Sequence, residues 1–182
     1  MSDENTIKVS KGIFIKILIP LLIVAAIIVI WIVKNSTAEK LIPQNNDTLQ
    51  FALNVTEPID LEELKSHGLP ILIDFGADSC IPCKEMAPVL KELNQELQGK
   101  AIILFVDIWK NRSLADGYPI SLIPTQVLIT NDGKPYIPSD SLSEGIKMYT
   151  SRDTNEHVFT THEGGLDKKT MLAMLKEMGM DE

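Results

Sequence analysis

Cys80 and Cys83 are the residues of this sequence best suited to do chemistry, and they are its two cysteines. No structural disulfide framework can be built from them, and no thiolate pair is left over for a zinc site. Two residues separate them, at the mouth of a helical pattern whose apolar positions include Met86, Val89, Leu90, Leu93 and Leu97. Within a first helical turn, that spacing lets the two sulfurs close a disulfide with little backbone movement. The orphan N–H groups of a helix start, together with the macrodipole, favour an anion there. A thiolate at Cys80 should therefore form below the free-thiol pKa of roughly 8.5. Pro82 is tolerated in that turn, because its missing N–H would have had no helical partner. Cys80 is read as the exposed nucleophile and Cys83, further into the helix, as the more buried resolving thiol.

The elements that must position this pair lie on either side. Ile71 to Phe75 is a β-branched apolar run that predicts a buried strand, and Gly76 to Ser79 a short turn into the helix. Asp74, near the strand's end, falls beneath the dithiol. With helices on both faces of a parallel sheet it is buried whichever way it points. A desolvated carboxyl has a raised pKa and can exchange a proton with Cys83 as a general acid/base. An aspartate that merely caps or turns the chain is the plainer alternative. An unpaired buried carboxyl is costly without a purpose, which favours the functional reading.

From about Leu49 to Met178 the sequence resembles the thioredoxin family. Asp74 matches the family's buried acid and Cys80-Ile-Pro-Cys83 its Cys-x-Pro-Cys site. Lys84 follows the second cysteine, Pro88 matches the proline of the active-site helix, Ile123-Pro124-Thr125 the Ile-cisPro-Thr loop, and Gly164 the glycine before the last helix. The resemblance implies an α/β thioredoxin fold, a central mixed sheet flanked by helices. It also implies a cis Pro124 and a backbone at Ile123 offered to an extended substrate, in the manner of strand addition. Three departures stand out. Ser79 replaces the usual tryptophan before the first cysteine, Gly76 replaces another aromatic, and Ile103 stands about where the family has a lysine near the buried acid.

The chain has 182 residues, enough for one such domain and an appendage. A formal charge of −8 argues against a nucleic-acid partner. Ile17 to Val33 is an uncharged apolar run, extended to Ile13 if Lys16 snorkels, which predicts one transmembrane helix over 13–33. Lys8, Lys11 and Lys16 favour a cytoplasmic segment 1–12, a modest bias because Lys34 and Lys40 follow the run. Ser36-Thr37-Ala38 offers a removable signal peptide as the alternative. Either way the rest crosses the membrane. A polar tether follows over 34–48, and the thioredoxin-like domain over 49–182.

Within the domain, Leu49 to Val55 is expected as an edge strand, Asp60 to His67 as a short helix ended by Gly68, and Ala101 to Asp107 as the central parallel strand. Trp109 is read as packing rather than substrate contact. The stretch 131–156 is an insertion, either functional or an elaborated hairpin. Glu156 to His162 is read as the last strand. Asp167 caps a final helix whose methionine stripe is core. His157 and His162 have an odd separation and so face opposite sides of a strand, which leaves the cysteines without further ligands. No metal and no cofactor are expected.

The expected activity is that of a single-pass, membrane-anchored thiol–disulfide oxidoreductase with its C-terminal domain outside the cytoplasm, reducing disulfide-containing proteins through Cys80 and Cys83. Its implied electron donor is a polytopic membrane thiol-relay protein. An oxidase using the same site, or a redox-inactive tethered binding module, are the alternatives.

Overall fold

The computed structural model describes residues 50–181. The expected span at 13–33, its flank 1–12 and the tether 34–48 lie outside the described residues. Among the described residues, no helix is long and apolar enough to cross a membrane.

The chain runs α1 (Leu61–Ser66), β1 (Ile71–Gly76), α2 (Ile81–Glu96), β2 (Ile102–Asp107), β3 (Thr125–Ile129), β4 (Ile146–Thr150), β5 (His157–Glu163) and α3 (Lys168–Glu177). Asp60 caps α1 by accepting a hydrogen bond from the Glu63 N–H at 3.0 Å, and Gly68, at φ +66°, ends it. Asp167 caps α3 in the same way, through the Thr170 N–H at 2.8 Å.

The strands form one mixed sheet in the order β2-β1-β3-β5-β4, with β1 and β2 parallel and the remaining pairs antiparallel. Alternation along the strands sorts the core into two layers. Leu72, Ile103 and Leu128 face Met86, Leu90 and Leu93 of α2 and Met171, Met174 and Leu175 of α3. Ile71, Ile73, Phe75, Val106 and Val127 face the opposite way, toward Leu61 and Leu64 of α1. Asp74 thus points into the α2 layer, between apolar neighbours. The methionine stripe of α3 is core, as its spacing predicts.

Four expectations need correction. The edge strand expected from Leu49 to Val55 is not seen over its described residues 50–55, whose pairing is a single parallel bridge from Asn54 to Phe105. Ala101 to Asp107 yields β2, which is parallel to β1 as expected but stands at the end of the sheet, with β3 in the middle. Trp109 does not pack inside; it is 63% exposed. The cause is local. Asp107 Oδ1 accepts hydrogen bonds from the N–H groups of Trp109 and Lys110 at 3.0 and 3.1 Å, turning the chain outward after β2. Ile103, finally, is not the residue beside the buried acid. In the β1–β2 register Asp74 stands opposite Phe105, and Ile103 opposite Leu72.

The insertion is an elaborated hairpin. It carries a short 3₁₀ turn (Asp140–Leu142) and then β4, which pairs with β5 on the outer side. Tyr136 anchors its start, buried and with its hydroxyl donating to Glu177.

Candidate active site

Cys80 sits at the N-cap of α2 with an extended backbone, and Pro82 occupies the first helical turn. Cys80 Sγ accepts a hydrogen bond from the Cys83 N–H at 3.4 Å. The two cysteines are joined as a disulfide, with their Cα atoms 5.3 Å apart. Cys83, at 3% exposure, is the more buried of the two, as its place in the helix predicts. The expected exposure of Cys80 needs correction: at 9% it is itself buried, packed with Ala77 and Cys83. Ile123 packs against the small cluster made by Ala77, Cys80 and Cys83. The Ile123–Pro124 peptide bond is cis, and Gly164 N–H donates to the Pro124 carbonyl at 2.9 Å. The structure therefore brings Cys80, Cys83, Ile123 and Pro124 together at one end of the sheet.

Asp74 has no solvent exposure. Its Oδ1 accepts from Gln126 Nε2 at 2.8 Å, while Oδ2 has no hydrogen-bond partner among the described residues. Burial pushes the carboxyl up to about 7, against the opposing pull of the Gln126 hydrogen bond. Such an acid exchanges its proton near neutrality.

Gly76 explains how the acid reaches the dithiol. A Cβ built on it would lie 3.2 Å from Cys83 Sγ and 3.4 Å from Asp74 Oδ2, so both atoms look onto the same bare point of backbone. The same Cβ would come within 2.9 Å of Phe105 Cε2, because the ring of the residue opposite Asp74 lies over the glycine. Gly76→Ala, which drives a methyl into this contact, is expected to destabilise the fold by about 1–3 kcal/mol, the usual range for overpacking. Urea denaturation of the oxidised protein checks it.

A second carboxylate holds the turn before Cys80. Desolvation works against ionisation of Asp107, but the N–H groups of Asp78, Lys110 and Trp109 and the Lys110 ammonium outweigh it and keep the carboxyl below its usual range. The Asp78 N–H reaches Asp107 Oδ2 at 3.1 Å, and Lys110 also pairs with Asp78. Sequence reasoning passed over Asp107, though an aspartate closing a strand of otherwise apolar residues was a visible signal. It also passed over Gln126 and Phe105, whose roles arise from pairing between strands. Trp109 lines an open groove of about 510 Å³ with Arg112, Tyr118, Leu122 and Ile123, beside the cis-proline loop.

A family model described as Thioredoxin matches residues 58–149. The chain is 39% identical over 81 residues to a thioredoxin of Rickettsia felis, covering 44% of this chain and 77% of the relative. It is 42% identical over 79 residues to a thioredoxin of Staphylococcus aureus, covering 40% and 75%. Among solved structures, a mutant thioredoxin from Halobacterium salinarum aligns with a TM-score of 0.48 at 22% identity, over 71% of this chain and 92% of the other. The family match spans β1, the dithiol and the cis-proline loop together, and the chain belongs to the thioredoxin family as a protein-disulfide oxidoreductase with Cys80 and Cys83 as its redox pair.

Proposed function

We propose that the protein is a membrane-anchored reductase of disulfides in extracytoplasmic proteins. The observation that carries the chemistry is Asp74, a buried acid whose Oδ2, unpartnered among the described residues, shares the face of Gly76 with Cys83 Sγ. The reductase direction rests on the likeness of Asp74 and the Ile81-Pro82 dipeptide to the reductases of the family. The Cys80 thiolate, favoured by the start of α2, attacks one sulfur of the substrate disulfide and displaces the other as a thiolate. Cys83 then gives its proton to Asp74 and attacks Cys80 Sγ, releasing the second substrate sulfur. Two electrons leave the dithiol; the products are two substrate thiols and the Cys80–Cys83 disulfide. Ile123 and Pro124 line the approach and present backbone to an extended substrate.

A reductase must regain two electrons after each turnover, and outside the membrane a polytopic thiol-relay protein is the donor this reading requires. The apolar run from Ile17 to Val33 supports the anchor. In intact cells, a membrane-impermeant maleimide applied after mild reduction is expected to label Cys80, and labelling only after lysis would refute the location. The direction is tested by equilibrating the protein with thiol–disulfide buffers. A potential near about −270 mV is the expected result, and one near about −120 mV would make it an oxidase. Insulin-type reduction no faster than the uncatalysed background, and no slower in Cys80→Ser, would leave only a tethered binding module.

A further inference from the structure

One row of side chains crosses four neighbouring strands. Phe105 stands opposite Asp74, Asp74 opposite Gln126, and Gln126 opposite His162. Directly opposed residues share a face of the sheet, and three of these form a continuous hydrogen-bonded thread. Gln126 Nε2 donates to Asp74 Oδ1 at 2.8 Å, and His162 Nδ1 meets Gln126 Oε1 at 2.8 Å. Asp74 and Gln126 are 0% exposed and His162 7%. A polar row buried between apolar layers is costly unless its members satisfy one another.

The acceptors set the direction of the thread. Gln126 Nε2 lies within reach of two oxygens, Asp74 Oδ1 and the Gly164 carbonyl at 3.2 Å. The amide nitrogen belongs between them, so Oε1 faces His162. Oε1 can only accept, and His162 must therefore carry its proton on Nδ1. Burial holds the imidazole below its usual value, which keeps it neutral at pH 7. Gly145, at φ +73°, makes room for the ring: a Cβ there would come within 2.6 Å of Nε2. Without the Nδ1–H, Oε1 loses its donor and the amide is held only from its nitrogen side, by Asp74 Oδ1 and the Gly164 carbonyl.

We propose that Gln126 and His162 are positioning residues of the dithiol site. His162 holds the Gln126 amide in the orientation that gives Asp74 an N–H, so the acid's hold on its proton is set from two strands away. This rests on Asp74 acting as acid/base for Cys83. The charged groups around the thread are few. Glu144 and Glu163 act on His162, and Lys147 pairs with Glu163 at 2.6 Å. Asp167 lines the same groove as His162, and Asp74 shares the face of Gly76 with Cys83.

The test follows the rate of disulfide reduction by the full-length protein against pH. Gln126→Leu and His162→Leu are each expected to move the midpoint upward by about one pH unit, since each removes a hydrogen bond that favours the ionised acid. The double variant should move no further than Gln126→Leu alone, because His162 works through Gln126. Additive shifts, or an unmoved midpoint in folded variants, would overturn the proposal. The unmodified protein offers a second check by ¹⁵N NMR of histidine. His162 is expected as the Nδ1–H tautomer, and the opposite tautomer or an imidazolium at pH 7 refutes the thread. Asp74→Asn separates the two readings. If its midpoint does not move, the acid/base role of Asp74 fails. If it loses the midpoint while the Gln126 and His162 variants keep theirs, the positioning role alone fails.

Discussion

Cys83→Ser will accumulate covalent complexes between Cys80 and its substrates. The nucleophile survives in this variant, so the first exchange proceeds, but no second thiolate is present to break the mixed disulfide. Such an adduct, relieved only by uncatalysed rearrangement, persists for about minutes to hours. Non-reducing gels of cells expressing the full-length variant should show ladders that collapse on reduction and vanish in Cys80→Ser/Cys83→Ser. Cys80→Ser alone should lose reductase turnover down to the uncatalysed rate, because a serine hydroxyl is not ionised near neutrality as a thiolate is. Burial favours this division of labour: Cys83, at 3% exposure, is the less accessible sulfur. Adducts forming on Cys83 in the Cys80→Ser variant as readily as on Cys80 would reverse the assignment.

Asp74→Asn will change how stability depends on pH. The carboxyl shifts from 3.8 in the free residue to about 7 in the folded protein, chiefly because burial penalises its charge. Between those values the unfolded chain has released a proton that the native state still holds. Stability therefore falls as pH rises through that window, then levels off above it. At about 1.4 kcal/mol per pK unit, the loss amounts to about 4 kcal/mol. The asparagine variant has no such slope. The difference in unfolding free energy between variant and wild type, both oxidised, should swing by that order between about pH 4 and about pH 8. Using the swing removes any constant cost of the new amide. A flat difference across the range would mean that Asp74 is ionised in the native state throughout.

The dithiol and the buried acid were legible because each is a local requirement, and the cis Pro124 because the resemblance carries it onto a short local match. A CxxC at a helix start, a carboxylate within an apolar strand and an Ile-Pro pair all show themselves in a few consecutive residues. What lay between strands was not legible. Ile103 has the right face but the wrong row; the residue opposite Asp74 is Phe105, two positions on, and pairing register is set by the whole sheet. Gln126 reads as an ordinary polar residue until β3 is laid against β1. Leu49 to Val55 has the pattern of a strand, yet it meets β2 only around Asn54 and stops. The exposure of Trp109 is not legible either, because the turn that carries it outward is made by the carboxylate of Asp107. The position of the dithiol also explains why the domain tolerates a long insertion: β4 is added at the far end of the sheet from β2, away from the strand that leads into Cys80.

That added strand bears on what the enzyme must survive. An oxidoreductase meets polypeptides that are extended and hungry for backbone partners, and a bare sheet margin would catch them where no chemistry can follow. Here one margin is occupied at Phe105, whose N–H donates to Leu53 and whose carbonyl accepts from Val55, at 2.7 and 2.9 Å. The other is broken by the irregular register between Tyr149 and Thr150 and carries Lys147 along it. Both flanks are thereby poorly suited to edge-to-edge pairing, and under the proposed function a visiting chain would have the cis-proline loop as its berth beside the sulfurs.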